Sequence, residues 1–460
     1  MVKTSISRTL IFAIAFSILG FLIGWGITYF NMDFRFLLYL FVIFILVGII
    51  LLGTEKGLWF GFIAWIWMFN IGYRTIHITS YLSIHPLIIF LIVLFLFLFL
   101  RLKEKGEFQF KFPKLLLFFI PFWFWGFIPG LINGIPFTNM IADSMNFFFL
   151  IPLFMIILYL SNKPGFWKSS TISFLGAGTL ICFLGSLEYF APGIRNLMPG
   201  FIQSDQSGFF SQSGFFRANF SIFGETAAVI ISALSLPMVS LIPRYRKGFF
   251  GKILMIFCLA ILGLGIYISG TRDAWIMVVV TSLLLAYFGI GFLGVGLTGG
   301  FWLIVYHFLP SDALSLISTL STPLSTGQIL DTSLNKRVDL QLNAIQLMTQ
   351  NPLGVGWSGS GWVHGDFTQV AANLGIIAGI VFLAWYLHTL YRGWKYYRKN
   401  PKDWLFQSLL TSFILCGIVL ATEGVQVLTQ FIMPVWFVWG LIEAYMQQKK
   451  IIIPNSTAEK

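Results

Sequence analysis

Apolar runs of about 17 to 24 residues follow one another along most of this chain, each long enough to cross a hydrocarbon core of about 30 Å as a helix. They fall near 9–30, 36–52, 57–73, 82–100, 115–133, 142–160, 169–190, 219–242, 253–270, 273–290, 291–309, 366–390, 404–422 and 427–446. A backbone in lipid must satisfy its own N–H and C=O groups, so such runs fold as helices. The expected fold is an all-α polytopic membrane protein of about 14 transmembrane helices, within a range of roughly 12 to 14. A soluble domain is excluded: 57% of the 460 residues are hydrophobic, with 52 Phe and 16 Trp, and no chain of this length has an interior able to bury them all.

The net charge of +12 is distributed in the way that orients membrane proteins, so nucleic acid is not an expected partner. Basic residues collect at every second connection: Lys3 and Arg8; Lys56; Arg101 to Lys114; Lys163 and Lys168; Arg244 to Lys252; Arg392 to Lys402; and Lys449, Lys450 and Lys460. This parity predicts two cytoplasmic termini, with the first span kept as a signal anchor. It divides the chain into N-terminal transmembrane helices over 1–190, an external loop over 191–218, transmembrane helices over 219–309, a large external loop over 310–365, transmembrane helices over 366–446 and a cytoplasmic tail over 447–460. The turn near 290 carries no charge to confirm that two separate spans meet there. Cys182, Cys258 and Cys416 all lie in apolar runs and read as packing residues.

Three arginines stand on the external side, where the orientation preference disfavours them: Arg217, Arg272 and Arg337. Arginine stays protonated and forks onto phosphate oxygens, so all three are candidates to bind a diphosphate. Each also has a simpler reading. Arg217 could reach up to lipid head groups, Arg272 could pair with Asp273 at a helix start, and Arg337 could belong to a solvated face. Leu334, Val338, Leu342, Ile345 and Met348 recur at helical spacing behind Asp331, Thr332 and Ser333, which predicts a capped amphipathic helix on the membrane surface within the large loop. Lys336 and Arg337 fall in its first turn, where the helix dipole disfavours cations, so an anion is expected beside them. The helix should end at Asn351-Pro352, and a glycine-rich path through Gly354, Gly356, Gly359 and Gly361 leads to His364. Histidine as a residue type titrates near neutral pH, so His364 is the candidate catalytic base, with a backbone-bonded interfacial histidine as the alternative. Glu225, at the start of a span, is a possible supporting residue. No Asp-x-Asp pair or His/Asp cluster has metal-ligand spacing in these loops, so neither a metal nor a cofactor is expected.

On these residues the sequence resembles the O-antigen ligase and polymerase superfamily of membrane glycosyltransferases. The resemblance is carried by Phe216-Arg217 ahead of Phe223-Gly224-Glu225, by Ser269-Gly270-Thr271-Arg272 with Trp275, by Arg337 ahead of Asn351-Pro352-Leu353-Gly354-Val355-Gly356, and by His364 ahead of Phe367-Thr368-Gln369-Val370 with Leu374-Gly375. It covers roughly residues 215–390; the first 200 residues match only as a run of spans. It implies a bacterial inner (plasma) membrane enzyme that moves a polyprenyl-diphosphate-linked glycan onto a glycan or glycolipid acceptor at the outer face. Arg217 and Arg337 would hold the diphosphate with Arg272 in support, and His364 would activate the acceptor hydroxyl. Two positions depart from the family pattern: Gly365, where asparagine commonly follows the histidine, and Thr226, where proline often follows Gly-Glu.

Two other readings remain open. A metal-dependent transferase could use Asp33 of Asn31-Met32-Asp33-Phe34-Arg35, although that aspartate beside Arg35 reads equally as a surface pair. A flippase or transporter of lipid-linked oligosaccharide would also have many spans, but its charges would line a central cavity rather than gather in outer loops.

Overall fold

The computed structural model describes residues 54–71, 76–77, 83–84, 86–105, 113–191, 225–308, 332–423 and 429–452. The expected spans 9–30 and 36–52, Asp33 and Arg217 lie outside the described residues. Within them the chain is helical, apart from an antiparallel pair of two-residue strands, β1 (Ile76–His77) and β2 (Ser83–Ile84).

Four helices lead in: α1 (Thr54–Trp67), α2 (Pro86–Lys105), α3 (Lys114–Trp125) and the short α4 (Phe127–Ile132). Next come α5 (Phe137–Phe148), α6 (Leu150–Ser161), α7 (Phe166–Phe190) and α8 (Glu225–Ser235), the last prolonged by a 3-10 segment and a final turn to Tyr245. The second half comprises α9 (Phe249–Ser269), α10 (Arg272–Ile290), α11 (Phe292–Phe308), α12 (Thr332–Gln350), α13 (Asp366–Leu374), α14 (Ile376–Lys399), α15 (Trp404–Thr422) and α16 (Thr429–Ile452). Among the described residues eight helical segments are long and apolar enough to cross a membrane, and Phe292–Phe308 is a shorter apolar helix. The chain is a multi-pass membrane protein on that basis, though a count near 14 is not reached by length and composition alone. The uncharged turn near 290 does join two separate helices, α10 and α11.

One expected span is corrected. Residues 366–390 do not form a single helix but break at Gly375, where the Ile376 N–H donates to the Pro352 carbonyl oxygen at 3.0 Å instead of continuing the helical ladder. The buried α13 precedes the break, and the candidate span runs from Ile376 to Lys399. The sequence does mark the boundary: α13 carries Asp366, Thr368, Gln369 and Asn373, whereas α14 opens with the apolar run from Ile376 to Leu383.

The core is centred on α16, whose residues from Ile432 to Met446 are buried on every side. A helix apolar all round belongs inside a bundle. Phe437 meets Phe62, Trp65, Phe69 and Phe174, and Trp439 packs on Trp385 with ring centroids 4.3 Å apart. By contrast α9 and α11 expose rows of large apolar side chains, among them Phe257, Phe292, Leu303 and Phe308, as lipid-facing helices do.

Ion pairs and polar contacts bring the Lys/Arg-rich connections to one end of this bundle. Glu55 accepts from Arg101 at 3.1 Å and from Lys163, Arg244 lies 4.5 Å over the Trp404 ring, and Tyr445 donates to Asp403 at 2.7 Å. Nearby, Glu443 on α16 is fully buried, paired with Arg392 at 3.0 Å and bonded by Thr389 at 2.7 Å. Stranding one member of a buried pair costs about 3–5 kcal/mol. Arg392 retains some exposure whereas Glu443 has none, so Arg392→Met should lower the melting temperature more than Glu443→Gln does. Thermal unfolding in lipid nanodiscs checks this, and the reverse order refutes it.

Candidate active site

At the opposite end of the bundle the connection after α12 folds into a wedge between α3–α5 and α13. The Val355 and Gly356 N–H groups donate to the carbonyls of Ala372 and Asn373 at 3.0 and 2.8 Å, and the Trp357 N–H donates to Gly126 at 3.1 Å. Side chains close the joint: Trp125 donates to the Leu353 carbonyl at 2.8 Å, Asn133 to that of Val355 at 2.9 Å, and buried Trp357 to that of Trp123 at 2.9 Å. The Ser358 hydroxyl donates to the Asp143 carboxylate. Glycine is required at position 356, where φ is +97° and a Cβ would stand 2.2 Å from the Gly130 Cα. The glycine-rich stretch is therefore a docked structural element, and it delivers His364 to a fixed place.

Four charged or titratable groups meet there. Arg337, in the second turn of α12, places its guanidinium 3.0 Å from Asp273 Oδ2 on α10 and 3.2 Å from Glu423 Oε1 just beyond α15. Glu423 Oε2 lies 3.7 Å from His364 Nδ1. The turn that sets Asp273 is itself stapled: the Thr271 N–H donates to Ser269 Oγ at 3.2 Å and the Trp275 indole to the Ile266 carbonyl at 3.2 Å, with Trp275 stacked on Tyr267. Thus Arg337, which falls in the second rather than the first turn of α12, is met by two carboxylates of the protein.

The amphipathic helix forms over the expected residues and faces an unexpected way. Its inward stripe is Arg337, Gln341, Ala344 and Met348, while Leu342 and Ile345 are exposed. Exposed apolar side chains on a helix at a bundle end suit an element seated at the lipid interface.

The structure accounts for the glycine at position 365. Its φ is +111°, and a Cβ would lie 2.3 Å from Gln341 Nε2 and 2.9 Å from the Ala421 carbonyl oxygen. The Gln341 side chain could move aside, but the positive φ and the Ala421 carbonyl oxygen would still strain an asparagine at this position.

Burial alone would raise the Glu423 carboxyl, but the contact with His364 and the charge of Arg337 outweigh it and hold this group below the usual carboxylate range. Burial likewise opposes the Arg337 charge, yet Glu423 and Asp273 raise its pKa above the ordinary guanidinium value. Two carboxylates thus converge on the Arg337 guanidinium, and one of them faces His364.

Of the expected site residues the structure joins Arg337 and His364. Arg272 opens α10, one residue before Asp273, and Glu225 opens α8; the Glu225 side chain and the whole of Arg217 lie outside the described residues. From the sequence Asp273 reads as a possible partner of Arg272 at a helix start, and Glu423 as a charge close to the end of an apolar run. A carboxylate at the end of an apolar run is costly without a partner, and that cost was the available signal for both. Among the described residues no group of three or more His, Cys, Asp or Glu could hold a metal ion. Compared with protein-family models and with curated protein sequences, the chain matches none.

Two predictions follow from this geometry. A depressed carboxyl pKa contributes stability at pH values above its unfolded value of 4.5, and that contribution is lost as pH falls through the lower folded value. Glu423→Gln should therefore flatten the acid limb of stability against pH below about 4.5, read as melting temperature across a pH series; an unchanged acid limb refutes the assignment. Gly365→Asn should destabilise the protein by about 1–3 kcal/mol through backbone strain and overpacking, measured by thermal unfolding in nanodiscs.

Proposed function

We propose that this protein is a membrane glycosyltransferase of the O-antigen ligase or polysaccharide polymerase type, acting on a polyprenyl-diphosphate-linked glycan at the outer face of a bacterial inner membrane. Both termini would then lie in the cytoplasm, on the side of the Lys/Arg-rich bundle end. The observation that carries the reading is the His364–Glu423–Arg337–Asp273 cluster, a carboxylate-flanked histidine at the bundle end opposite the basic connections.

The chemistry follows from those residues. His364 takes the proton of an acceptor sugar hydroxyl, with Nδ1 turned to Glu423 and Nε2 left as the accepting atom. The freed oxygen attacks the anomeric carbon of the donor. As that bond forms, the bond from the anomeric carbon to the diphosphate oxygen breaks, and its electron pair leaves with the diphosphate. A single displacement inverts the anomeric centre. Arginine charge then stabilises the departing diphosphate. Arg217 and Arg272 are the other candidates for that grip; Arg337, already held by two carboxylates, would meet the donor by exchanging one of them.

The test is transfer by the purified protein in lipid, given a polyprenyl-diphosphate glycan and a glycolipid acceptor. His364→Ala should lower kcat by about 10²–10⁴-fold, and Glu423→Gln should lower it less while shifting the pH profile. Donor affinity should fall in Arg217→Ala and in Arg272→Ala. Full activity of His364→Ala sinks the base assignment, and no transfer by the wild-type protein sinks the enzyme.

A further inference from the structure

The residue beside the candidate base is a tryptophan placed in an unusual way. Trp362 is 53% exposed on the docked connection, while Trp357 five residues earlier is buried. Its position does not come from a loose segment. The Ser360 N–H donates to Asn373 Oδ1 at 2.9 Å, the Gly361 carbonyl accepts from Gln369 Nε2 at 3.1 Å, and Val363 is buried against Ala344 and Ala372. Both flanks are pinned, and the ring between them is held outward. Its aromatic partner among the described residues is His364, at 4.8 Å between centroids and tilted by 38°. The Trp362 indole N–H has no hydrogen-bond acceptor among the described residues, as is also true of buried Trp385 and Trp439, but at Trp362 the ring is exposed.

We propose, resting on the glycosyl-transfer reading of this end, that Trp362 is the acceptor subsite: a ring face on which the acceptor pyranose stacks so that its hydroxyl reaches His364. One face of a pyranose presents C–H groups that carry partial positive charge and shed water readily, and these complement the electron-rich face of an indole. A tryptophan also offers a large rigid surface with only two side-chain torsions to fix, so little entropy is lost on binding. The free N–H can donate to a ring-substituent oxygen. Stacking next to the base, rather than in the diphosphate grip, assigns this ring to the acceptor and leaves the donor to the arginines.

A competing role for an exposed tryptophan is anchorage at the membrane interface, and a second is cation–π support of an imidazolium at His364. Trp362→Phe, Trp362→Leu and Trp362→Ala in nanodiscs separate these from a stacking platform. The expected result is an acceptor KM raised about tenfold in the Ala and Leu variants and largely restored in the Phe variant, with donor KM unmoved. Saturation-transfer NMR with methyl β-cellobioside, a soluble disaccharide, should show binding by the wild type that Trp362→Ala loses. A Leu variant equal to wild type in acceptor KM indicates an anchor and overturns the subsite. So does an effect confined to kcat and its pH profile, or a wild type with no saccharide signal. Saccharide binding that depends on Trp362 in a protein without transfer activity would keep the subsite and remove the enzyme reading alone.

Discussion

A guanidinium withdrawn from water must be met by carboxylates, and Arg337 is met by two that come from different helices. This one residue ties α12 to the start of α10 and to the end of α15. Glu423 in turn faces His364, so the same charge balance that seats α12 also fixes the histidine. The docked glycine-rich connection spends its backbone N–H groups on α13 and on the α3–α4 junction, which holds His364 in place beside the cluster.

The two ends of the bundle are chemically unlike. One end gathers Arg101, Lys163, Arg244 and their partners, with carboxylates at Glu55 and Glu443 that are each met by a cation. At the other end Arg337 bridges Asp273 and Glu423, and His364 stands beside Glu423. The first set of contacts ties helix ends together; the second sets a buried carboxylate beside an imidazole.

Much of this organisation was legible in the sequence because lipid imposes a simple rule. Among the described residues helices lie along the expected apolar runs, eight segments being long and apolar enough to cross a membrane, although 366–390 divides at Gly375. The connections that carry Arg101 and Lys163 meet at Glu55, and the one that carries Arg244 meets Trp404. Arg337 and His364 were also legible, since charged groups are scarce in such a chain. Their carboxylate partners were harder to recognise. Asp273 and Glu423 lie 150 positions apart in sequence, each beside an apolar run, and no local pattern joins them.

The sequence by itself determined that the chain crosses a membrane many times, where its helices lie and which connections carry positive charge, because these depend on local hydropathy and length. Only the tertiary structure decided that α16 is the buried centre, that α12 turns Arg337 and Gln341 inward while exposing Leu342 and Ile345, and that the glycine-rich connection is a docked wedge. It also decided that Glu423 faces His364 and that the backbone at position 365 takes a positive φ. The reason is physical: hydropathy reports how each segment meets lipid, whereas the pairing of rare charges and the close approach of backbones depend on which helices become neighbours.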